Sequence, residues 1–307
     1  MPQNQARWSD KRILFVSGKG GVGKSLVAAA IAREQALAGK RVLLVEIGDT
    51  SYYKDFWNLP AVGHEPVRLN RPGLGASFDL ALWSGESCLH EYVLYYMRME
   101  SLYKLFFENR VMRALINVAP GLNEIAILGK ITSGIRKVGP PLDYDVVVVD
   151  CYATGHAMAL FQAPRGLMEA IKFGPMGAHS KEMEKVIRNQ ALCGYILVSL
   201  LEEMPIVEAL EFRERLRKEL GVDADLIGNK HLPLPVAEAE LSKLEKLGDQ
   251  GLGEFARYLG TIARRQEEFS SLLRQKSEAG SYREVPLLFS SDPDTLVRET
   301  GEALRKA

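Results

Sequence analysis

Short apolar runs alternate with longer segments of helical periodicity along this chain. Arg12-Ile-Leu-Phe-Val-Ser17 is apolar without alternation and ends in a glycine turn, which predicts a buried strand. Ser25–Ala38, rich in alanine and leucine, stops at Gly39 and predicts a helix closed by a C-terminal glycine. Arg41–Glu46 (RVLLVE) predicts a second buried strand. Strand, helix and strand with tight joints make a βαβ unit, the building block of parallel sheets covered on both faces. Tyr144–Asp150 (YDVVVVD) reads as a central parallel strand, Tyr195–Leu200 and Asp225–Gly228 as further strands, and Arg283–Leu287 as a last one.

Residues 61–139 break this rhythm. Turn signals come first, at Pro60, Pro66 and Arg71-Pro72-Gly73. From Glu86 to Val118, Leu89, Val93, Tyr96, Tyr103, Phe106, Phe107, Val111 and Leu115 then recur at helical spacing. The expected architecture is α/β: a mostly parallel, twisted sheet with helices on both faces. Residues 11–60 and 140–307 form one discontinuous core, and 61–139 an inserted helical subdomain. Leu241–Leu247 and Gly253–Leu273 are amphipathic, with Phe255, Leu259, Ile262, Phe269 and Leu273 on one stripe.

Composition narrows the function classes. Of the 307 residues 47% are hydrophobic and 25% charged, which fits a soluble globular protein and not a disordered one. Lys+Arg and Asp+Glu both number 39, so no net field draws the chain to nucleic acid or to an anionic membrane. Cys88, Cys151 and Cys193 form no CxxC pair, which fits a reducing compartment, and the scattered histidines offer no metal cage. The start is polar, and no apolar run approaches the roughly 20 residues of a bilayer span. A cytoplasmic protein without stable membrane insertion is expected.

The candidate chemistry begins at Gly18-Lys19-Gly20-Gly21-Val22-Gly23-Lys24-Ser25, a full GxxxxGK[ST] between a predicted strand and a predicted helix. Glycines let backbone amides converge on phosphates, and the helix N-terminus adds partial positive charge. Lys24 reaches the outer phosphates of ATP or ADP, and Ser25 is placed to ligate Mg²⁺. Asp150 ends its apolar run where an acid can hold a magnesium-bound water.

The additional Lys19 makes the loop GKGGVGKS, which resembles the deviant Walker A loop of the superfamily containing ArsA, Get (tail-anchored-protein-targeting), MinD and nitrogenase-iron-protein ATPases. Asp150-Cys-Tyr-Ala-Thr-Gly-His156 looks like the DTAPTGH segment of ArsA- and Get-type ATPases, and Ala119–Glu124 like their APGxxE stretch. Leu201–Glu208 resembles PEEMPxxE, and Gly228–Pro233 resembles NxxxP, so the likeness runs in order along nearly the whole chain. It implies an ATPase acting as a nucleotide-driven switch, as a homodimer or as a heterodimer with a paralogue. Lys19 would then reach the partner's nucleotide, with Thr154, Gly155 and His156 in the second switch loop. Asn229 would bond the adenine, and Glu208 would lie near the nucleotide across the dimer.

Departures from the family pattern matter equally. Its first switch reads STDPAHS after the second strand, where this chain has Glu46-Ile-Gly48-Asp49-Thr-Ser51. Gly48 falls on the aspartate that orients the attacking water, so either Asp49 serves from one place later or hydrolysis is slow. Leu26 replaces a second threonine, removing one α-phosphate hydrogen bond. The zinc-bridging CxxC of Get dimers and the clustered cysteines of ArsA are absent. Met97, Met99 and Met112 among aromatics suit an adaptable groove for a hydrophobic protein client, although a stripe at this spacing also serves as plain core. A nucleotide-gated adaptor with negligible turnover is the alternative to the ATPase. A membrane-cycling protein lacks support, because Thr295–Ala307 carries Glu299, Gly301 and Glu302 and is no basic amphipathic tail.

Overall fold

The computed structural model describes residues 6–97, 121–170, 175–232, 238–246 and 251–306. The first βαβ unit consists of β1 (Ile13–Gly18), α1 (Lys24–Leu37) and β2 (Val42–Ile47), and Gly39 takes a left-handed φ of 82° after the helix. After α2 (Tyr52–Phe56) come β3 (Val67–Asn70), β4 (Ser77–Trp83), α3 (Gly85–Met97) and α4 (Leu122–Arg136). The chain continues through β5 (Val146–Asp150), α5 (Thr154–Ala170), α6 (Pro175–Arg188), β6 (Cys193–Leu200), α7 (Glu203–Arg215) and β7 (Asp225–His231). It closes with α8 (Gly251–Gln275), β8 (Tyr282–Pro286) and α9 (Pro293–Lys306).

The strands form one sheet in the order β3-β4-β2-β5-β1-β6-β7-β8, parallel throughout except where β3 runs antiparallel to β4. Successive strand residues face opposite sides, so each central strand feeds two cores. Leu14 and Val16 pack with the alanine-rich face of α1 and with Val297 and Leu304 of α9. Ile13 and Phe15 pack on the other side with side chains of α4, α5, α6 and α7. Phe15 meets Phe161 edge-on at 5.1 Å and stacks on Tyr195 at 5.3 Å, pinning β1 just before its glycine end. Such pairs add ~0.5–1.5 kcal/mol beyond burial. The α/β reading with helices on both faces therefore holds, and no described helix is long and apolar enough to cross a membrane.

The expected helical segment 61–139 begins with sheet. β3 and β4 extend the main sheet beyond β2, and the Arg71-Pro72-Gly73 turn joins them as a hairpin. These strands are short and alternate in burial, so they show neither an unbroken apolar run nor a helical period. The hairpin is tied to the core by Asp294 of α9, which accepts from Arg71 Nε at 2.6 Å and from Trp57 Nε1 at 3.2 Å. Ile127, Leu128 and Ile131 of α4 belong to the same core as Phe15. The helical periodicity expected over 98–118, with Met99 and Met112, lies outside the described residues.

The stripe expected on α8 is rotated by one residue, about 100° at 3.6 residues per turn. Ala256, Gly260, Ala263 and Ser270 are buried with Leu273, while Phe255 is 57% exposed. Small side chains let this helix lie close to its neighbours: a Cβ on Gly260 would overlap Glu245.

Candidate functional site

The phosphate loop sits at the C-terminal edge of the sheet, between β1 and α1. Gly18 is its first fixed point, since a Cβ there would overlap the carbonyl oxygen of Val198 on β6. Gly23 is the second, with φ at 92° immediately before α1 and no room for a Cβ beside the Asn229 carboxamide. That carboxamide donates from Nδ2 to the Val22 carbonyl at 2.7 Å, so β7 holds the loop's far end. Between these points the space that a Cβ would fill at Gly20 and Gly21 is open. The first-turn amides of α1 lack partners one turn back, and no side chain caps them. The result is a bowl of amides backed by a helix N-terminus, the arrangement that receives phosphate.

Side chains crowd the floor of this bowl. Lys24 Nζ donates to the Lys19 carbonyl at 3.2 Å, folding the lysine over the loop. Ser25 hydrogen-bonds to Asp150, which is 5% exposed. The Tyr53 hydroxyl lies 2.8 Å from the Ser25 carbonyl and 3.2 Å from Asp150 Oδ2, fully buried between them. Glu46 stands beside Asp150, the two being register partners on the neighbouring strands β2 and β5. Burial is the main cause that raises the Asp150 carboxyl to about 6, against the opposing pull of Ser25, Lys24 and Tyr53, while the Glu46 charge pushes the same way. Burial likewise raises Glu46 despite hydrogen bonds from Ser51 and Tyr52. Two desolvated acids side by side leave negative charge that favours a proton or a cation.

The expected residues divide into those gathered at the bowl and those spent elsewhere. Gly18, Gly20, Gly21, Gly23, Lys24, Ser25 and Asp150 converge. Val22 is buried in the core, so only its backbone is at hand, and Leu26 packs beside the same core. Asn229 reaches the site, but one amide hydrogen serves Val22. Lys19 and Glu208, both expected at a dimer interface, pair with each other within the chain at 2.5 Å. Asp49 is exposed. With Glu124 it adds to burial, the larger cause, in pushing the Tyr152 hydroxyl up to about 12. Thr154, Gly155 and His156 are the first turn of α5, a correction to the loop expected there. His156 N and Ala157 N donate to the Ala153 carbonyl at 2.9 and 3.0 Å, so the helix starts directly after Ala153.

Tyr53 and Glu46 were absent from the sequence-based set. Glu46 carried a signal, a lone charge in the otherwise apolar run VLLVEI. Tyr53 carried none, because a tyrosine in Ser51-Tyr-Tyr-Lys-Asp reads as an ordinary helix residue.

Comparison with known proteins agrees with this geometry. Residues 11–174 match the model of the ArsA ATPase family, described as anion-transporting ATPase. ATPase BagA of Mycobacterium tuberculosis is 28% identical over 248 residues, covering 78% of this chain and 70% of its own. An arsenical pump-driving ATPase of Acidiphilium multivorum is 28% identical over 245 residues, 74% of this chain and 40% of its own. An ATPase ASNA1 homolog of Plasmodium chabaudi chabaudi is 27% identical over 169 residues, 52% of this chain and 38% of its own. With more than half of its length matched by the family model and its phosphate loop built as an amide bowl, the chain belongs to the ArsA family of ATP-binding ATPases.

Proposed function

We propose that this protein is a Mg²⁺-dependent ATPase that works as a nucleotide-driven dimeric switch coupled to a partner protein. The observation that carries the reading is the open amide bowl with Lys24 and Ser25 at its floor beside buried Asp150. The donor set fits a hydrated hard cation: a serine hydroxyl and buried carboxylates, with no cluster of three or more His, Cys, Asp or Glu among the described residues. When bound, Mg²⁺ supplies counter-charge to the phosphates through Ser25, with Asp150 holding a coordinated water.

The chain's own groups do the positioning. The loop amides from Lys19 to Leu26 bind the phosphates, and Lys24 leaves the Lys19 carbonyl to reach the outer ones. Asn229 keeps one amide hydrogen on Val22 and offers its oxygen to the adenine amine. On dimer closure Lys19 exchanges Glu208 of its own chain for the partner's nucleotide, neutralising charge as the phosphoryl group transfers. Glu208, freed by that exchange, lies near the nucleotide across the dimer. Asp49 orients the attacking water once the loop after β2 has closed over the site. The loops after β2 and β5 pass the nucleotide state to the helices around 85–136, where a hydrophobic client would dock.

Calorimetric titration with ATP analogues and Mg²⁺ tests this. Lys24→Ala should weaken binding by about a hundredfold, the loss of two charge-assisted hydrogen bonds at ~1.5 kcal/mol each. Unchanged affinity rejects the site. The exposure of Asp49 next to Gly48 favours a second reading, a nucleotide-gated adaptor without turnover. Steady-state phosphate release separates the two: release above background identifies the enzyme.

A further inference from the structure

Glu46 is a buried acid that nothing in the protein fully uses. It ends the apolar strand β2 and is 7% exposed. Its Oε1 accepts from the Tyr52 amide at 2.6 Å, capping α2. Its Oε2 is buried and accepts no hydrogen bond of good geometry, although the Ser51 hydroxyl and the Tyr53 amide stand near the carboxylate. An unsatisfied buried carboxylate oxygen is costly, and a bound ion or water is one of the few things that explains its retention.

The direction of this side chain is set by the sheet. Glu46 and Asp150 are register partners on parallel neighbours, roughly 4.8 Å apart in the hydrogen-bonding direction, so their side chains leave the same face. The Tyr52 amide reaches Glu46 at 2.6 Å and the Tyr53 hydroxyl reaches Asp150 at 3.2 Å, so adjacent residues of α2 touch both carboxylates and border the volume between them. Ser25 and Lys24 border that volume through Asp150. Gly48 follows on the same strand end and brings no carboxylate of its own, so Glu46 is the second acid available there.

We propose that Glu46 is a second acidic contact for the hydrated divalent cation of the nucleotide site, with Oε2 accepting a hydrogen from one of the waters that the cation would carry. The proposal rests on the nucleotide-site reading above and assigns a role that the phosphate-loop pattern does not contain. Mg²⁺ keeps several of its waters when bound, so outer carboxylates are effective holders without direct ligation. Their loss costs about 10–100-fold in metal affinity where it has been measured for other sites. Oε1 continues to cap α2, so Glu46 would also couple the cation to the end of the loop that carries Asp49.

The experiment measures metal dependence directly, apart from turnover. ADP binding to the full chain is titrated by calorimetry at fixed ADP and varied Mg²⁺. Mn²⁺ replaces Mg²⁺ in a parallel series read by electron paramagnetic resonance. Glu46→Gln keeps the oxygen that caps Tyr52 and removes the charge. It should raise the half-saturating metal concentration by about tenfold while leaving ADP affinity in chelator unchanged. Glu46→Asp keeps the charge with a shorter reach and should fall between Glu46→Gln and the wild type, which keeps the test decisive if Glu46→Gln folds poorly. A wild-type metal dependence in either folded variant overturns the proposal. Lys24→Ala, run in the same series, reports on the site itself: if it binds ADP as the wild type does, the nucleotide-site reading fails, whatever Glu46 does.

Discussion

Replacing Asp150 by asparagine should make the ligand-free protein more stable at neutral pH while weakening its grip on metal-bound nucleotide. Burial raises this carboxyl from 3.8 to about 6 in the folded chain. A shift of about two units corresponds to ~3 kcal/mol between protonation states. Between pH 3.8 and about 6 the folded form binds more protons than the unfolded form, so stability falls as pH rises through that window. The favourable contribution is complete below 3.8 and gone above about 6. Asparagine keeps the acceptor for Tyr53 and stays neutral, so it avoids that loss. The stability gap in favour of Asp150→Asn should reach ~3 kcal/mol near pH 7.5 and shrink below ~1 kcal/mol near pH 4. For a chain of this length ~3 kcal/mol corresponds to a Tm rise of about 5 °C. Scanning calorimetry of both proteins in chelator between these pH values measures the gap. A variant less stable than wild type at neutral pH, or a gap that does not move with pH, refutes the argument that Asp150 is a desolvated charge awaiting a cation.

Two further outcomes are expected. Asn229→Ala removes the 2.7 Å bond to the Val22 carbonyl and strands a buried acceptor, costing ~1–3 kcal/mol; calorimetric titration should show nucleotide affinity reduced about tenfold. Arg213, whose side chain is 2% exposed, grips Asp223 at 2.6 and 2.8 Å and the Lys276 carbonyl at 2.8 Å. Arg213→Ala should cost ~3 kcal/mol in urea unfolding and leave nucleotide affinity intact, because Asp223 precedes β7 at the sheet edge opposite the loop. Against burial, which raises it, Arg213 and Arg217 hold Asp223 at about 2. The stability that this pair lends should therefore be lost as pH falls below 3.8 towards 2, and lost less in the variant.

How much of this was legible in the sequence depends on how local the determining contacts are. The phosphate loop was readable because its chemistry demands contiguous residues: glycines, a lysine and a serine between a strand and a helix. The long apolar strands were readable because burial on both faces leaves no polar positions. β3 and β4 were missed because seven or fewer residues with alternating burial mimic loop between turn signals. Glu46 was missed because its meaning comes from register. It is acidic next to Asp150 only once β2 and β5 pair, 104 residues apart in the case of Arg41 and Asp145 at the other end of the same strands. Tyr53 was missed for the same reason, since its hydroxyl bonds across 97 residues to Asp150.

The Lys19–Glu208 pair looks at first like an obstacle to a lysine that crosses between subunits, and its energetics say otherwise. The two side chains are 39% and 32% exposed, so their attraction is screened by water and worth at most ~1 kcal/mol. A lysine held that weakly is not sequestered; it is parked with its charge satisfied and its stem ordered near the loop. In the proposed dimer a polyphosphate on the second chain, a denser negative charge than one carboxylate, would reward it more than Glu208 does. Glu208 sits in the first part of α7, within two turns of Glu203, which pairs with Arg265 of α8. Breaking one weak contact on α7 can therefore be felt at a second contact on the same rigid helix. This coupling requires no strain in the ligand-free chain, only that the nucleotide reward the lysine more than Glu208 does.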